Sequence, residues 1–465
     1  MGIGLFIQSC KIPDLVEKSA DTSVPASFND SQDTTNIAAM NWREYFTDPY
    51  LAALIDTALT NNQELNIMLA EIEISKNEVK ARKGEYLPFV GIKGALGVEK
   101  VGRYTSQGAN DATTDIEPGK EFPDPLPDFM LQAYASWEVD IWKKLRNAKK
   151  SAVMRYLASV EGRNFMKTHL VAEIANSYYE LMALDNQLAI VQQNIGIQNN
   201  ALNIVKLQKE AAKVTELAVN KFEAEMLKNR SLQYYLQQQI VETENRINFL
   251  VGRYPQPVER NSEAFSEMVP DSVYAGIPSQ LMANRPDIKQ AELEIAAAKL
   301  DVQVARANYY PAVRITAAIG DQAINPAYWA KMPESILFSL AGDAIAPLVN
   351  KRAIEAEYLS NNAKQTQAIY NYQRTVLGAF VEVANQLSNI RNLKTIYDLK
   401  EEQVATLNKS VTISTRLFQS ARADYMEVLL TQRDALEAKM ELIETKMKQM
   451  SSMVNIYQAL GGGWK

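Results

Sequence analysis

The sequence predicts a mixed, mainly α-helical chain, internally duplicated, in which long coiled-coil helices form a tube and four strands join in a sheet. Three observations carry this. Proline is absent between Pro127 and Pro255 and again after Pro347, and helix formers fill both stretches. Within them apolar residues recur at alternating four- and three-residue steps, the spacing of coiled-coil packing. Leu436, Met440, Ile443, Met447, Met450, Val454 and Tyr457 keep that rhythm near the C-terminal end. Leu184, Leu188, Val191 and Ile195 keep it in the first half, as do Leu236, Ile240, Ile247 and Leu250. Finally, the halves align: setting Pro88 on Pro311 brings Glu71-Ile72 onto Glu294-Ile295, Tyr86 onto Tyr309 and Gly97 onto Gly320. So long a period is a duplicated unit and not a solenoid of short repeats.

The chain opens with residues 1–9, the remnant of a signal peptide. Ile7, Ser9 and Cys10 resemble a bacterial lipobox, in which the signal is cut before a cysteine that carries lipid. Gln8 is an unusual occupant, and nine residues without a basic start are too few for a full signal, so the true start is expected upstream of Met1. Residues 10–50 form a lipidated tether, because 11–40 are polar, rich in Ser, Thr and Asp, and poorly periodic. Two structural repeats follow, 51–260 and 261–465. Each runs helix, strand, loop, strand, very long helix, turn, helix.

Helices are predicted near 52–87, 143–210 and 215–251, and near 280–310, 351–418 and 424–460, so the long helical stretches cover 143–251 and 351–460. A helix of about 68 residues spans about 100 Å. No globular domain needs that length, whereas a tube does. The two shorter helices of each half, stacked end to end, would match it. Heptad spacing makes the methionines of the last run core residues rather than a soft-metal site.

Strands are predicted near 89–104, 129–142, 312–320 and 335–345. Along 129–142, Phe129, Leu131, Ala133, Ala135, Trp137, Val139 and Ile141 share one face, while Gln132, Ser136, Glu138 and Asp140 dominate the other. Such alternation fits either a bilayer-crossing strand or a soluble sheet with one face on a core. Polar loops near 104–128 and 321–334, and aromatics Trp137, Trp142, Tyr328 and Trp329 near strand ends, favour the bilayer. Four strands are too few to close a barrel, so closure would need several chains, and three would give twelve. Glu138 and Asp140 are then expected to line a water-filled lumen rather than an active site.

Composition excludes other classes. A net charge of −6 argues against nucleic acid as a partner. No uninterrupted apolar run is long enough for a transmembrane helix. One cysteine, Cys10, and one histidine, His169, exclude an intrachain disulfide and the usual Cys/His zinc sites. His169 lies in a long helical stretch and reads as a surface or packing residue. No nucleophile motif or phosphate loop occurs. The expectation is no enzyme, no cofactor and no metal.

Several local motifs then fall in one order. Trp42, Asp48-Pro49, Leu51, Leu54-Ile55 and Asn61-Asn62 come first, followed by Ala135-Ser136-Trp137-Glu138-Val139-Asp140-Ile141-Trp142 with Lys144-Leu145-Arg146. Gly276-Ile277-Pro278-Ser279, Leu281, Arg285-Pro286-Asp287-Ile288, Ala305-Arg306-Ala307, Tyr309-Tyr310-Pro311 and Leu460-Gly461-Gly462-Gly463-Trp464 complete it. Over nearly the whole chain this resembles an outer membrane efflux lipoprotein of the TolC/OprM type, the outer membrane factor family.

The resemblance implies a homotrimer, with a twelve-stranded transmembrane β-barrel above a periplasmic α-barrel, anchored in outer-membrane lipid at Cys10. It implies a passive exit duct for small molecules, docked to a periplasmic adaptor protein and an inner-membrane pump. A type I protein secretion channel and a soluble periplasmic coiled-coil scaffold are the alternatives. The tunnel is expected to narrow near 210–216 and 419–425, where Thr415-Arg416-Leu417-Phe418 and Arg422-Ala423-Asp424-Tyr425 resemble the family's second-half tip. Arg416 and Asp424 are the candidate latch, with Tyr425 beside them. The family commonly carries an acid after the first-half leucine. Here Ala218 follows Leu217, and Glu216 is the candidate substitute. Ala421 stands where a turn glycine is frequent.

Overall fold

The computed structural model describes residues 12–15, 18–21, 23–28, 33–270, 273–347, 351–420 and 422–465. Its elements run α1 (Trp42–Tyr45), α2 (Pro49–Asn61), α3 (Gln63–Tyr86), β1 (Phe89–Glu99), α4 (Ser106–Asp111), β2 (Asp115–Glu117), β3 (Lys120–Glu121) and β4 (Leu126–Val139). There follow α5 (Lys144–Glu210), α6 (Glu216–Val251), α7 (Ser279–Asn284), α8 (Pro286–Ala307), β5 (Ala312–Ala323), β6 (Ile336–Ile345), α9 (Arg352–Gln419) and α10 (Tyr425–Ala459). The chain is mainly helical. None of the described helices is long and apolar enough to cross a membrane.

The predicted helix near 52–87 is two helices, because Asn62 leaves the helical path and recaps the chain. Its Oδ1 accepts from Leu65 N at 2.9 Å while its Nδ2 donates to Leu250 O at 2.8 Å. Opposite that break Gly252 ends α6 at φ 77°, where a Cβ would lie 2.5 Å from Asn61 O, so only glycine fits. The predicted helix near 280–310 is likewise two, since Arg285 takes an extended conformation before Pro286 starts α8. The strand predicted to reach residue 104 ends at Glu99, and Thr105 caps α4 through Gly108 N.

Strands pair antiparallel in the order β1-β4-β5-β6, and β2 with β3 forms a separate hairpin. In the four-stranded sheet every neighbouring pair keeps one register without a bulge.

Backbone contacts divide the chain into two compact units. One holds Glu73–Leu157, Leu293–Tyr370 and the described part of Met1–Ser19, and contains the sheet. Its helical core gathers Val302, Ala305 and Tyr358, with Ile12, Leu15 and Tyr309 against them. Ser151 Oγ donates to Asp301 at 2.6 Å and Arg155 pairs with the same carboxylate.

The other unit holds Ile72 and the described residues before it from Ala20, with Ala158–Glu292 and Asn371–Lys465. Tyr178, Tyr457, Phe265, Leu51 and Ile174 are fully buried in it. Two guanidinium hubs tie its segments together. Arg260 binds Asp185 at 2.6 and 2.9 Å and Glu244 at 2.5 Å. Arg285 binds Asp287 at 2.8 Å, Glu382 at 2.7 Å and Ala459 O at 2.7 Å. Burial works against the charge on Arg285, but its carboxylate partners outweigh that and hold its pKa above the ordinary value.

Candidate channel wall and gate

The two faces of the sheet differ in kind. In register across all four strands stand Val90, Ala135, Ala317 and Leu340, and next to them Ile92, Ala133, Ile319 and Phe338. This apolar face is open: Ile92 is 79%, Leu96 81% and Phe338 81% exposed. The opposite face carries Lys93 beside Gln132, and Glu138, Arg314 and Asp343 in one row. Among the described residues of the chain β1 and β6 each have one strand neighbour, so both outer edges of the sheet are unpaired there.

Glu138 lies on the polar face and accepts from Lys144 Nζ at 3.1 Å. Asp140 does not line that face. The strand stops at Val139, and the buried Asp140 carboxylate turns to the start of α5, accepting from Leu145 N at 3.0 Å and Arg146 N at 2.9 Å. The orphan amides of the helix start draw it in. Trp137 Nε1 donates to Tyr86 O at 3.1 Å, and Trp142 stacks on Tyr310 at 4.5 Å. In the loops, Glu117 pairs with Lys331 and with Lys120, joining the β2–β3 hairpin to the β5–β6 loop.

The turns α5–α6 and α9–α10 meet in a closed apolar cluster. Leu202, Val205, Ala218, Val219, Phe222 and Leu429 are its buried members, with Phe418 and Tyr425 packed against it. Tyr425, the first residue of α10, therefore contributes packing area. Ala218 is wholly buried, which accounts for its departure from an acid: a carboxylate there would be desolvated inside the cluster. Glu216 opens α6 and pairs with Lys209 across the turn at 2.5 Å, which holds the lysine pKa above its ordinary value. Sequence reading missed Lys209 because the pair closes over a turn rather than along one helix.

Arg416 lies in the last turn of α9 and Asp424 at the N-cap of α10, where its carboxylate caps no backbone amide. Among the described residues no ion pair joins the two within the chain. Cys10 and Ala421 lie outside the described residues. His169 is on the surface of α5, 3.6 Å from Glu173 one turn on.

A family model described as outer membrane efflux protein matches residues 54–253 and 277–462. The chain belongs to the outer membrane efflux protein family. Among relatives, it is 27% identical over 424 residues to the pyoverdine export outer membrane protein OpmQ of Pseudomonas aeruginosa, covering 91% of this chain and 87% of that one. It is 24% identical over 471 residues to the cation efflux system protein CusC of Escherichia coli, covering 100% and 98%. Its fold matches a crystal structure of a membrane protein from Pseudomonas aeruginosa with TM-score 0.86 at 20% identity, over 97% and 100% of the chains. It matches a structure of the Neisseria gonorrhoeae MtrE outer membrane channel in its open state with TM-score 0.83 at 20% identity, over 98% of each. Efflux family members of this kind are channel proteins, not enzymes.

Proposed function

We propose that three copies of this chain close a twelve-stranded barrel in the outer membrane and form a passive exit duct for small molecules. The single observation that carries the reading is the sheet: an apolar face open on all four strands, a charged face behind it, and two unpaired edges. In hydrocarbon, unpaired strand edges are tolerated only by closure, and closure here needs other copies. The element order helix, strand, strand, long helix, helix runs twice along the chain, as a duplicated unit would.

Helices α5 and α9, each about 100 Å long at 1.5 Å per residue, would line the periplasmic tunnel. Arg416, Asp424, Tyr425 and Glu216 stand at its narrow end as gate residues, with the latch formed between copies. Exposed ion pairs are worth about 0–1 kcal/mol each, which keeps such a latch reversible. Cys10 would carry lipid, and the tether behind it would run toward the helices that flank β5, a reading supported by Ile12 and Leu15 packing against the Val302, Ala305 and Tyr358 cluster. An adaptor and an inner-membrane pump would supply contact and energy. The names of the relatives, a pyoverdine export protein and a cation efflux system protein, support small-molecule cargo over secreted protein.

Negative-stain imaging of the detergent-extracted protein tests the assembly. A three-fold tapered cylinder longer than about 100 Å, as the helix lengths require, is the expected result. A compact or two-fold particle would return the protein to the scaffold reading.

A further inference from the structure

The two ends of the four-stranded sheet carry opposite charge. Phe89 pairs with Ser136, Val139 with Val313 and Ala312 with Ile345, so all four junctions between strand and helix lie at one end. There the chain enters α5 through Lys143, Lys144, Arg146, Lys149 and Lys150, five cations in eight residues, and no carboxylate follows before Glu161. Lys83 in the last turn of α3, Arg306 in the last turn of α8 and Arg352 at the start of α9 join them. At the far end the β1–β4 loop sets Asp111, Asp115, Glu117, Glu121 and Asp124 against Lys100, Arg103 and Lys120.

The cations also differ in pairing. In the loops Lys100 pairs with Asp124, and Lys120 and Lys331 with Glu117. In the α5 run Lys144 and Arg146 are matched by Glu138 and Asp140, but among the described residues Lys143, Lys149 and Lys150 have no ion-pair partner. Stability of the helix does not account for them, because cations at the positive end of a helix macrodipole are unfavourable. Aromatic and apolar side chains lie beside them. Trp142, 45% exposed, stacks on Tyr310, and Ile141 is 51% exposed. The open apolar face of the sheet starts at the same end, with Val90 in the second position of β1.

We propose that this end of the sheet is a headgroup belt, whose unmatched lysines bind the phosphates of anionic phospholipid in the leaflet on the side of the long helices. Open apolar surface, then amphipathic aromatics, then unmatched cations is the order a strand meets on leaving hydrocarbon for anionic headgroups. Continuity with the open face selects lipid over a soluble acidic partner, which would gain nothing from that face. The belt rests on the duct reading for its membrane.

Tryptophan quenching by lipids brominated on their acyl chains tests it, with the full-length protein in neutral detergent and Trp142 as the reporter at the belt. Brominated phosphatidylglycerol is expected to quench at about tenfold lower mole fraction than brominated phosphatidylcholine. That preference should fall to about twofold or less at about 0.5 M salt. It should vanish in Lys143→Gln/Lys149→Gln/Lys150→Gln and persist in Lys143→Arg/Lys149→Arg/Lys150→Arg. Equal quenching by the two lipids in the unaltered protein overturns the belt, whether or not either variant folds, and leaves the duct reading standing because the sheet still meets hydrocarbon. A preference undiminished in the glutamine variant overturns it as well, since the charge would then act from elsewhere. Quenching by neither lipid sinks the belt and the duct reading together.

Discussion

The four-stranded sheet and the helical tip obey opposite rules of exposure. The sheet leaves Val90, Ile92, Leu96, Phe338 and Leu340 open, whereas the tip encloses Leu202, Val205, Val219, Phe222 and Leu429 completely. Both are apolar, so composition does not separate them. What differs is where the backbone polar groups go. In the sheet they are spent in the ladders between neighbouring strands, which leaves the side chains of that face open. In the cluster at the α5–α6 and α9–α10 turns, helices satisfy their own amides, and the apolar side chains bury one another away from water. An apolar surface is therefore a statement about the solvent it expects, and its exposure in one region is as informative as its burial in the other.

The contrast can be broken, most sharply at the tip. Phe222→Ala should cost about 3–5 kcal/mol, the usual range for emptying a buried aromatic site. Urea unfolding followed by limited proteolysis should show new cleavage at the 211–215 turn while the sheet stays resistant. Equal loss in both regions would mean that they are not independently stabilised.

A charge on the sheet comes next. Phe338→Arg should lower folding into lipid vesicles by about 2–4 kcal/mol if that face meets the bilayer midplane. Its neighbour Ser339→Arg, on the other face, should stay within about 0.5 kcal/mol. Similar effects at the two positions would remove the distinction between the faces.

Asn62→Ala removes a buried cap from the break between α2 and α3, and should cost about 1–2 kcal/mol by thermal denaturation. No change would show that water replaces both of its hydrogen bonds.

The smallest effect concerns Lys446, buried with its ammonium 4.8 Å from the Tyr397 ring centre. Burial pushes its pKa below the ordinary 10.5, with Glu401 opposing. The folded chain then holds this proton less tightly than the unfolded chain. Stability should therefore rise with pH from the lowered value up to 10.5. Lys446→Met should gain about 1 kcal/mol or less at neutral pH, an advantage that shrinks across that window. A difference independent of pH would mean that Tyr397 and Glu401 compensate fully.

Much of this was legible before any coordinates. Heptad spacing, together with the proline-free stretches, located α5, α6, α9 and α10 to within two residues, because helix formers without a break over tens of residues leave little other reading. Alternation assigned the faces of β4. Single-residue effects were less legible. Asp140 continues the strand alternation, yet its carboxylate caps α5, since a helix start attracts an acid more strongly than the strand pattern holds it. Ala218 reads as a missing gate acid until the tip cluster encloses it. The burial of the amides Gln198, Asn229 and Gln432 was not legible, since polar side chains ordinarily face water.

The amino-acid order by itself determined the element types, the repeated order of those elements, the two faces of the sheet and membership of a family, since all of these follow from local periodicity and motif order. Tertiary structure decided the pairings: β4 beside β5, Glu216 with Lys209, Arg285 with Glu382, and Asn229 with Gln198. Periodicity is a property of neighbours along the chain. A partner tens or hundreds of residues away is chosen by packing, desolvation and hydrogen-bond geometry in three dimensions.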